Sequence, residues 1–181
     1  MNKYTGIILA GGQSSRMGQD KGLMDLKGKP MILHVIDSIE KLTNQIIIVA
    51  NNEAYKKFGY KVVPDIIVNK GPLAGIITGL EETETEKNWI LSCDTPFITA
   101  SLLDELMSTM RDENLRMVKK GNDIHPLIGT YRKSALKPLK EQLALNELKL
   151  SRAFQGISKT FFDANHHPNY CFKNLNSIAD L

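Results

Sequence analysis

A chain of 181 residues, 42% hydrophobic and 24% charged, is sized and composed for one folded domain, 1–181, with a buried core. Its formal net charge of +3 is too small to point to nucleic acid and suits a small anionic ligand. Two cysteines give neither a disulfide framework nor a zinc spacing, and no apolar run approaches the ~20 residues of a membrane span, so a reduced, cytoplasmic setting with no membrane partner is expected.

The first apolar run, GIILA at 6–10, reads as a strand and ends at Gly11-Gly12. After Pro30, apolar residues at Ile32, Val35, Ile36, Ile39 and Leu42 mark one face of a helix. Strands follow at QIIIVA (45–50) and KVVPD (61–65). Leu73, Ile76, Ile77 and Leu80 repeat the helical period after Gly71-Pro72. The charged stretch EETETEK (81–87) reads as a solvated helix end. WILSCD (89–94) is a strand, and Leu102, Leu103, Leu106, Met107 and Met110 form a helix with Thr99 as its N-cap. HPLIGTY (125–131) is a strand, Ser134 to about Phe154 a fourth helical region containing Pro138, and YCFKNL (170–175) a last strand. Continuous hydrophobicity in the first, second and fourth strands indicates burial on both faces. Strands alternating with helices predict an α/β fold, three layers with a doubly wound, mostly parallel sheet.

In open α/β sheets ligands sit outside the carboxyl ends of the strands. The stretch GIILAGGQSSRMGQDK (6–21) puts glycines, Arg16 and Lys21 at that place. Glycine lets backbone N–H groups approach a ligand, and successive N–H groups form an anion nest. Arg16 can grip phosphate oxygens in a fork, Lys21 adds a point charge, and Ser14 and Ser15 can add hydrogen bonds. The loop is not a P-loop, because five residues separate Gly12 from Gly18 and Gln19 follows, and it lacks the dinucleotide pattern G-x-G-x-x-G. A plain strand-to-loop turn at Gly11-Gly12 is the competing reading. Asp94 closes a buried strand, where it either caps the Asp-Thr-Pro turn or binds Mg²⁺ together with substrate phosphates. Cys93 reads as core, His125 as a packed or solvent-facing side chain, and His166-His167 as a pair lacking the third ligand of a metal site.

These residues also carry a resemblance. LAGGQSSRMGQDK followed by GKP (28–30) resembles the signature of nucleotidyltransferases. With GPLAG (71–75), CDTP (93–96), His125-Pro126 and the F-x-N-x-N of Phe172 to Asn176, the chain is most similar to the molybdenum cofactor guanylyltransferase family. The resemblance implies a Rossmann-like nucleotidyltransferase fold and an enzyme that joins GMP from GTP to molybdopterin, releases pyrophosphate and uses Mg²⁺ as cofactor. It implies GTP binding by Leu9, Ala10 and Gly11 through their backbone, by Lys21 on phosphate, by Asp65, and by Asp94 through the metal. Arg16, Lys21 and Asp94 would be the catalytic residues, and Asn174 and Asn176 would line the acceptor side. GTP and molybdopterin are the implied partners, with transient contact to cofactor-synthesis proteins or molybdoenzymes. Asn51 stands two residues beyond Val49, where the family carries an asparagine, so base and ribose contacts there are not assigned. Two other readings stay open: cytidylyl or other nucleotidyl transfer to a phosphorylated acceptor, and a carrier that binds nucleotide or cofactor without chemistry.

Overall fold

The computed structural model describes residues 3–11, 20–65 and 70–175. Its main sheet has seven strands, taken in chain order as β1 (Tyr4–Leu9), β4 (Ile46–Val49), β5 (Lys61–Val63), β6 (Lys87–Ser92), β7 (Leu115–Lys120), β8 (Asp123–Arg132) and β9 (Lys159–Asp163). A short hairpin of β2 (Asp25–Leu26) and β3 (Lys29–Pro30) stands apart. Across the main sheet the order is β5-β4-β1-β6-β8-β7-β9. β1 pairs in parallel with both β4 and β6, β4 pairs in parallel with β5, and β8 runs antiparallel to β6 and β7. The sheet is doubly wound: the chain moves from β1 outward to β5, then returns to place β6 on the other side of β1.

Among the described residues five helices cover the two faces: α1 (Met31–Ile39), α2 (Gly71–Glu82), α3 (Ala100–Ser108), α4 (Leu136–Ala144) and α5 (Leu150–Ala153). Side chains of β1 alternate between two cores, as a pleated strand requires. Ile8 joins Ile36, Trp89 and Leu103 in the core under α1 and α3. Ile7 and Leu9 join Ile76, Leu80, Ile90 and Leu139 in the core under α2 and α4. The continuous apolar runs of β1, β4 and β6 are thereby explained, each strand being covered on both sides.

Several boundaries differ from the sequence reading, each for a physical reason. The fourth helical region is a 3-10 turn (Lys133–Ala135) followed by α4 and α5, separated where Asn146 takes a left-handed conformation with φ 57°. The stretch 170–175 is not a strand but holds a 3-10 turn, Asn169–Phe172, begun by Pro168 with Cys171 and Phe172 turned into the core. β7 and β9 carry no continuous apolar run, because their sequences, LRMVKK and KTFFD, place charged residues at exposed or half-buried positions. Thr99 caps α3 as expected, accepting from the Leu102 N–H at 3.3 Å. The 81–87 stretch is solvated only in part. Thr83 and Thr85 are buried, and both hydroxyls hydrogen-bond Asn88 Oδ1, at 2.8 and 2.9 Å. Thr5 joins this network through Thr85, tying the start of β1 to that of β6.

The helix α2 approaches β1 closely because Gly75 and Gly79 face it. A Cβ on Gly75 would stand 3.4 Å from Leu9 Cδ2, and one on Gly79 would overlap Ile7 Cγ2. Gly79→Ala is therefore expected to lower the unfolding free energy by about 1–3 kcal/mol, as overpacking of a filled core does, despite alanine's better helix propensity. Urea denaturation checks this, and a stabilised variant would show that α2 can move away from the sheet at no cost.

Candidate functional site

The chain reverses direction across the sheet between β1 and β6, and there the carboxyl ends of the two strands lie side by side. The Cys93 N–H donates to Leu9 O at 3.1 Å, and the Ala10 N–H donates to Val49 O at 2.9 Å. These bonds hold the three strand ends in one row. They open onto a cleft of about 740 Å³ whose lining includes Leu9, Ala10, Gly11, Lys21, Asp65 and Asp94. Each of these six was singled out in the sequence, and the fold brings them together. Among the described residues a Cβ on Gly11 would meet only Val49 O, at 3.9 Å, so a side chain at this position would not enter the core.

Asp94 stands two residues beyond Ser92, the last residue of β6. Its Oδ1 is buried and accepts no hydrogen bond from any described residue. A buried carboxylate oxygen without a donor costs free energy unless another group neutralises it. The turn after β6 is closed by Thr95 instead, whose hydroxyl donates to Ser92 O at 2.9 Å. Capping the turn thus falls to Thr95, and the Asp94 carboxylate remains suited to a hard cation such as Mg²⁺, which prefers oxygen ligands. Cys93 is buried, and that burial, followed by the carboxylates of Asp94 and Asp20, pushes its thiol far above the ordinary range. Its burial among core residues opposes formation of a thiolate.

The opposite wall is built by α2 and by the turn after β5. Gly71, Pro72 and Gly75 put the N-terminal turn of α2 on the cleft, where the helix dipole favours an anion. Asp65 is anchored on both sides: its N–H donates to Asn51 Oδ1 at 2.9 Å, and its Oδ1 accepts from Thr78 at 3.3 Å. Asn51 thus positions Asp65 from the end of β4.

Asp20 was given no role in the sequence, yet it organises the Lys21 side of the cleft. Its carboxylate accepts from Gly22 N–H at 3.2 Å, from Asn52 Nδ2 at 3.2 Å and from the Tyr55 hydroxyl. It caps the 3-10 turn Lys21–Leu23 and locks that turn to the segment Glu53–Phe58. Burial, above the other influences, pushes the Tyr55 phenol upward, so it remains a donor to Asp20. Gly22 is required beside it, since a Cβ there would overlap the Tyr55 hydroxyl. An Asp one residue before a cationic loop residue was the available signal; its partners lie 32 and 35 residues away and could not be read locally.

The remaining expectations divide. Gly12, Ser14, Ser15, Arg16 and Asn176 lie outside the described residues. Asn174 is exposed and is not among the residues lining the cleft, although its neighbour Leu175 donates its N–H to Asp94 O at 2.9 Å. His125 packs on Phe172, with ring centroids 5.3 Å apart, and does not line the cleft. Burial lowers its pKa. Among the described residues no helix is long and apolar enough to cross a membrane.

Comparison with known proteins gives the site a context. Residues 6–160 match the MobA-like NTP transferase domain. The chain is 37% identical to a probable molybdenum cofactor guanylyltransferase of Flavobacterium johnsoniae, covering 100% of this chain and 96% of that protein. It is 35% identical to the molybdenum cofactor guanylyltransferase of Vibrio parahaemolyticus, covering 97% of this chain and 91% of that one. Its fold superposes with a TM-score of 0.80 on the molybdopterin-guanine dinucleotide biosynthesis protein A of Archaeoglobus fulgidus, at 21% identity over 97% of this chain and 94% of that chain. The last likeness shows the fold alone.

The Asp20 anchor yields a stability prediction. Tyr55→Phe keeps the packed ring and removes the hydroxyl that donates to a carboxylate, so it is expected to lower unfolding free energy by about 1–3 kcal/mol. Equilibrium denaturation measures this. An unchanged midpoint would mean that Asp20 is held without Tyr55.

Proposed function

The chain belongs to the MobA-like NTP transferase family, and on that premise we propose that it transfers GMP from GTP to the phosphate of molybdopterin, releasing pyrophosphate and forming the guanine dinucleotide cofactor. The observation that carries the reading is the buried Oδ1 of Asp94, which accepts from no described residue, in a cleft that also presents Lys21 and the N-terminus of α2. Asp94, Lys21 and a helix dipole at the carboxyl end of a parallel sheet form a polyphosphate site with a place for a cation.

In this reading Asp94 holds Mg²⁺, which when bound offsets charge on the triphosphate and orients it. Leu9, Ala10 and Gly11 border the nucleotide with bare backbone, Gly11 leaving space for close approach. Lys21, held in place by the Asp20-capped turn, contacts the phosphates, and Arg16 adds a second cation. Asp65, positioned by Asn51 and Thr78, faces the nucleotide from the β5 side. Asn174 and Asn176 belong to the acceptor side, and transient contacts with cofactor-synthesis proteins or molybdoenzymes fit a cytoplasmic enzyme of this kind. An acceptor phosphate oxygen attacks the α-phosphorus, the bond from that phosphorus to the bridging oxygen breaks, and pyrophosphate leaves with the electron pair. The acceptor brings its own anionic oxygen, so the protein needs no nucleophile, which agrees with the neutral, buried Cys93. The work of the chain is orientation and charge stabilisation.

Pyrophosphate release from GTP on addition of molybdopterin tests the reading. Asp94→Ala is expected to lose essentially all transfer while keeping its fold by circular dichroism. Near-normal turnover at saturating Mg²⁺ would remove Asp94 from the metal site, and wild-type turnover with CTP rather than GTP would reassign the base. Calorimetry gives a second test. Gly11→Val is expected to weaken GTP binding at least about tenfold, roughly 1.4 kcal/mol, because its branches would fill cleft space. Unchanged affinity in the folded variant would make Gly11 a structural turn and move the phosphates elsewhere.

A further inference from the structure

Outside the cleft, three metal-ligating side chains meet on the face covered by α3. Glu105 comes from α3, and His166 and His167 from the turn after β9. One ligand atom from each lies within 4.8 Å of the other two. Glu105 Oε2 is 2.9 Å from His166 Nε2 and 3.4 Å from His167 Nε2. Two ligands each about 2.1 Å from a tetrahedral ion are roughly 3.4 Å apart, so both nitrogens already stand near the corners of such a polyhedron around one carboxylate oxygen.

The second observation concerns His167. It is only 8% exposed, and its Nε2 makes no hydrogen bond to any described residue despite its closeness to Glu105. Within the trio Glu105 hydrogen-bonds His166, whereas His167 Nε2 stays in ion-pair range of the same oxygen without a geometric hydrogen bond to any described residue, an arrangement that ligation would complete. The turn is also held in advance. Lys120 Nζ donates to the carbonyls of Asn165 at 3.0 Å and His167 at 2.6 Å, and the His167 N–H donates to Ala164 O at 3.0 Å. Adjacent residues in a strand point to opposite faces, but this turn brings the two imidazoles to one side, with centroids 4.3 Å apart. The buried ring of Phe162 packs against both. Two imidazoles and one carboxylate are the donor set of zinc-class ions and a poor one for Mg²⁺.

We propose that Glu105, His166 and His167 form a binding site for a divalent transition-metal ion of the zinc class, with a solvent ligand in the fourth position, which clamps α3 to the turn after β9. Both clamped parts lead to Asp94: α3 follows it along the chain, and the segment after the turn reaches it through the Leu175 N–H. The site itself lies apart from the cleft residues and is distinct from the Asp94 position.

The test uses the full chain without a polyhistidine tag, stripped with chelator, then titrated with Zn²⁺ by calorimetry and with Co²⁺ by visible spectroscopy. One equivalent is expected to bind, with the intense cobalt absorption of a tetrahedral site and a zinc-dependent rise in melting temperature. Glu105→Gln and His166→Ala, both at exposed or half-buried positions, are expected to keep the metal-free melting temperature and lose at least about tenfold in zinc affinity. Asp94→Ala is expected to bind zinc as the parent does. The proposal is overturned if the parent shows no saturable equivalent, if both ligand variants bind as tightly as the parent, or if Asp94→Ala alone abolishes binding.

Discussion

The structure depends on β1 being paired in parallel on both edges and covered on both faces. With β4 on one edge and β6 on the other, every inward or outward side chain of β1 from Thr5 to Leu9 is buried. That double pairing brings Leu9, Val49 and Ser92 into register and leaves Gly11, Asn51 and Asp94 emerging from one rim. The cleft is a direct consequence of where the strands stop. Close packing of α2 through Gly75 and Gly79 adds the second requirement, because it brings the helix N-terminus over the same rim.

A polar frame surrounds this apolar centre at both ends of the sheet. At the amino end, the hydroxyls of Thr5, Thr83 and Thr85 and the amide of Asn88 satisfy one another in the interior. At the carboxyl end, Asp20 and Asp65 each sit in hydrogen bonds from side chains of distant segments, whereas one oxygen of Asp94 does not. The difference separates carboxylates held by the walls from one whose buried oxygen accepts from no described residue. Fixed groups of this kind cost no reorganisation when a charged substrate arrives.

Much of this was legible from residue patterns. GIILA, QIIIVA and WILSCD betray buried parallel strands because lack of alternation is itself a signal, and Thr99 before an apolar periodic run marks a helix start. The cleft residues Gly11 and Asp94 follow from locating strand ends and Lys21 from the cations of the first loop, while Asp65 and the roles of all four came from the family resemblance. What stayed hidden depends on contacts distant in sequence. LRMVKK and KTFFD look like surface chain until β8 pairs with β7 and β7 with β9. Cys171 and Phe172 imitate a strand because a 3-10 turn can also bury two neighbours. Asp20 acquires meaning only from Asn52 and Tyr55, and His166-His167 only from Glu105, 61 residues away from His166.

The central claim is that nucleotide binds where β1 and β6 end. Backbone amide chemical shifts recorded during titration with GTP and Mg²⁺ test it most directly. The account predicts that the largest changes fall on Gly11, Lys21, Asp65, Gly71 and Asp94, with little change at Thr83, Thr85 and Asn88. Changes concentrated at the amino end of the sheet, with Gly11 and Asp94 unmoved, would contradict it.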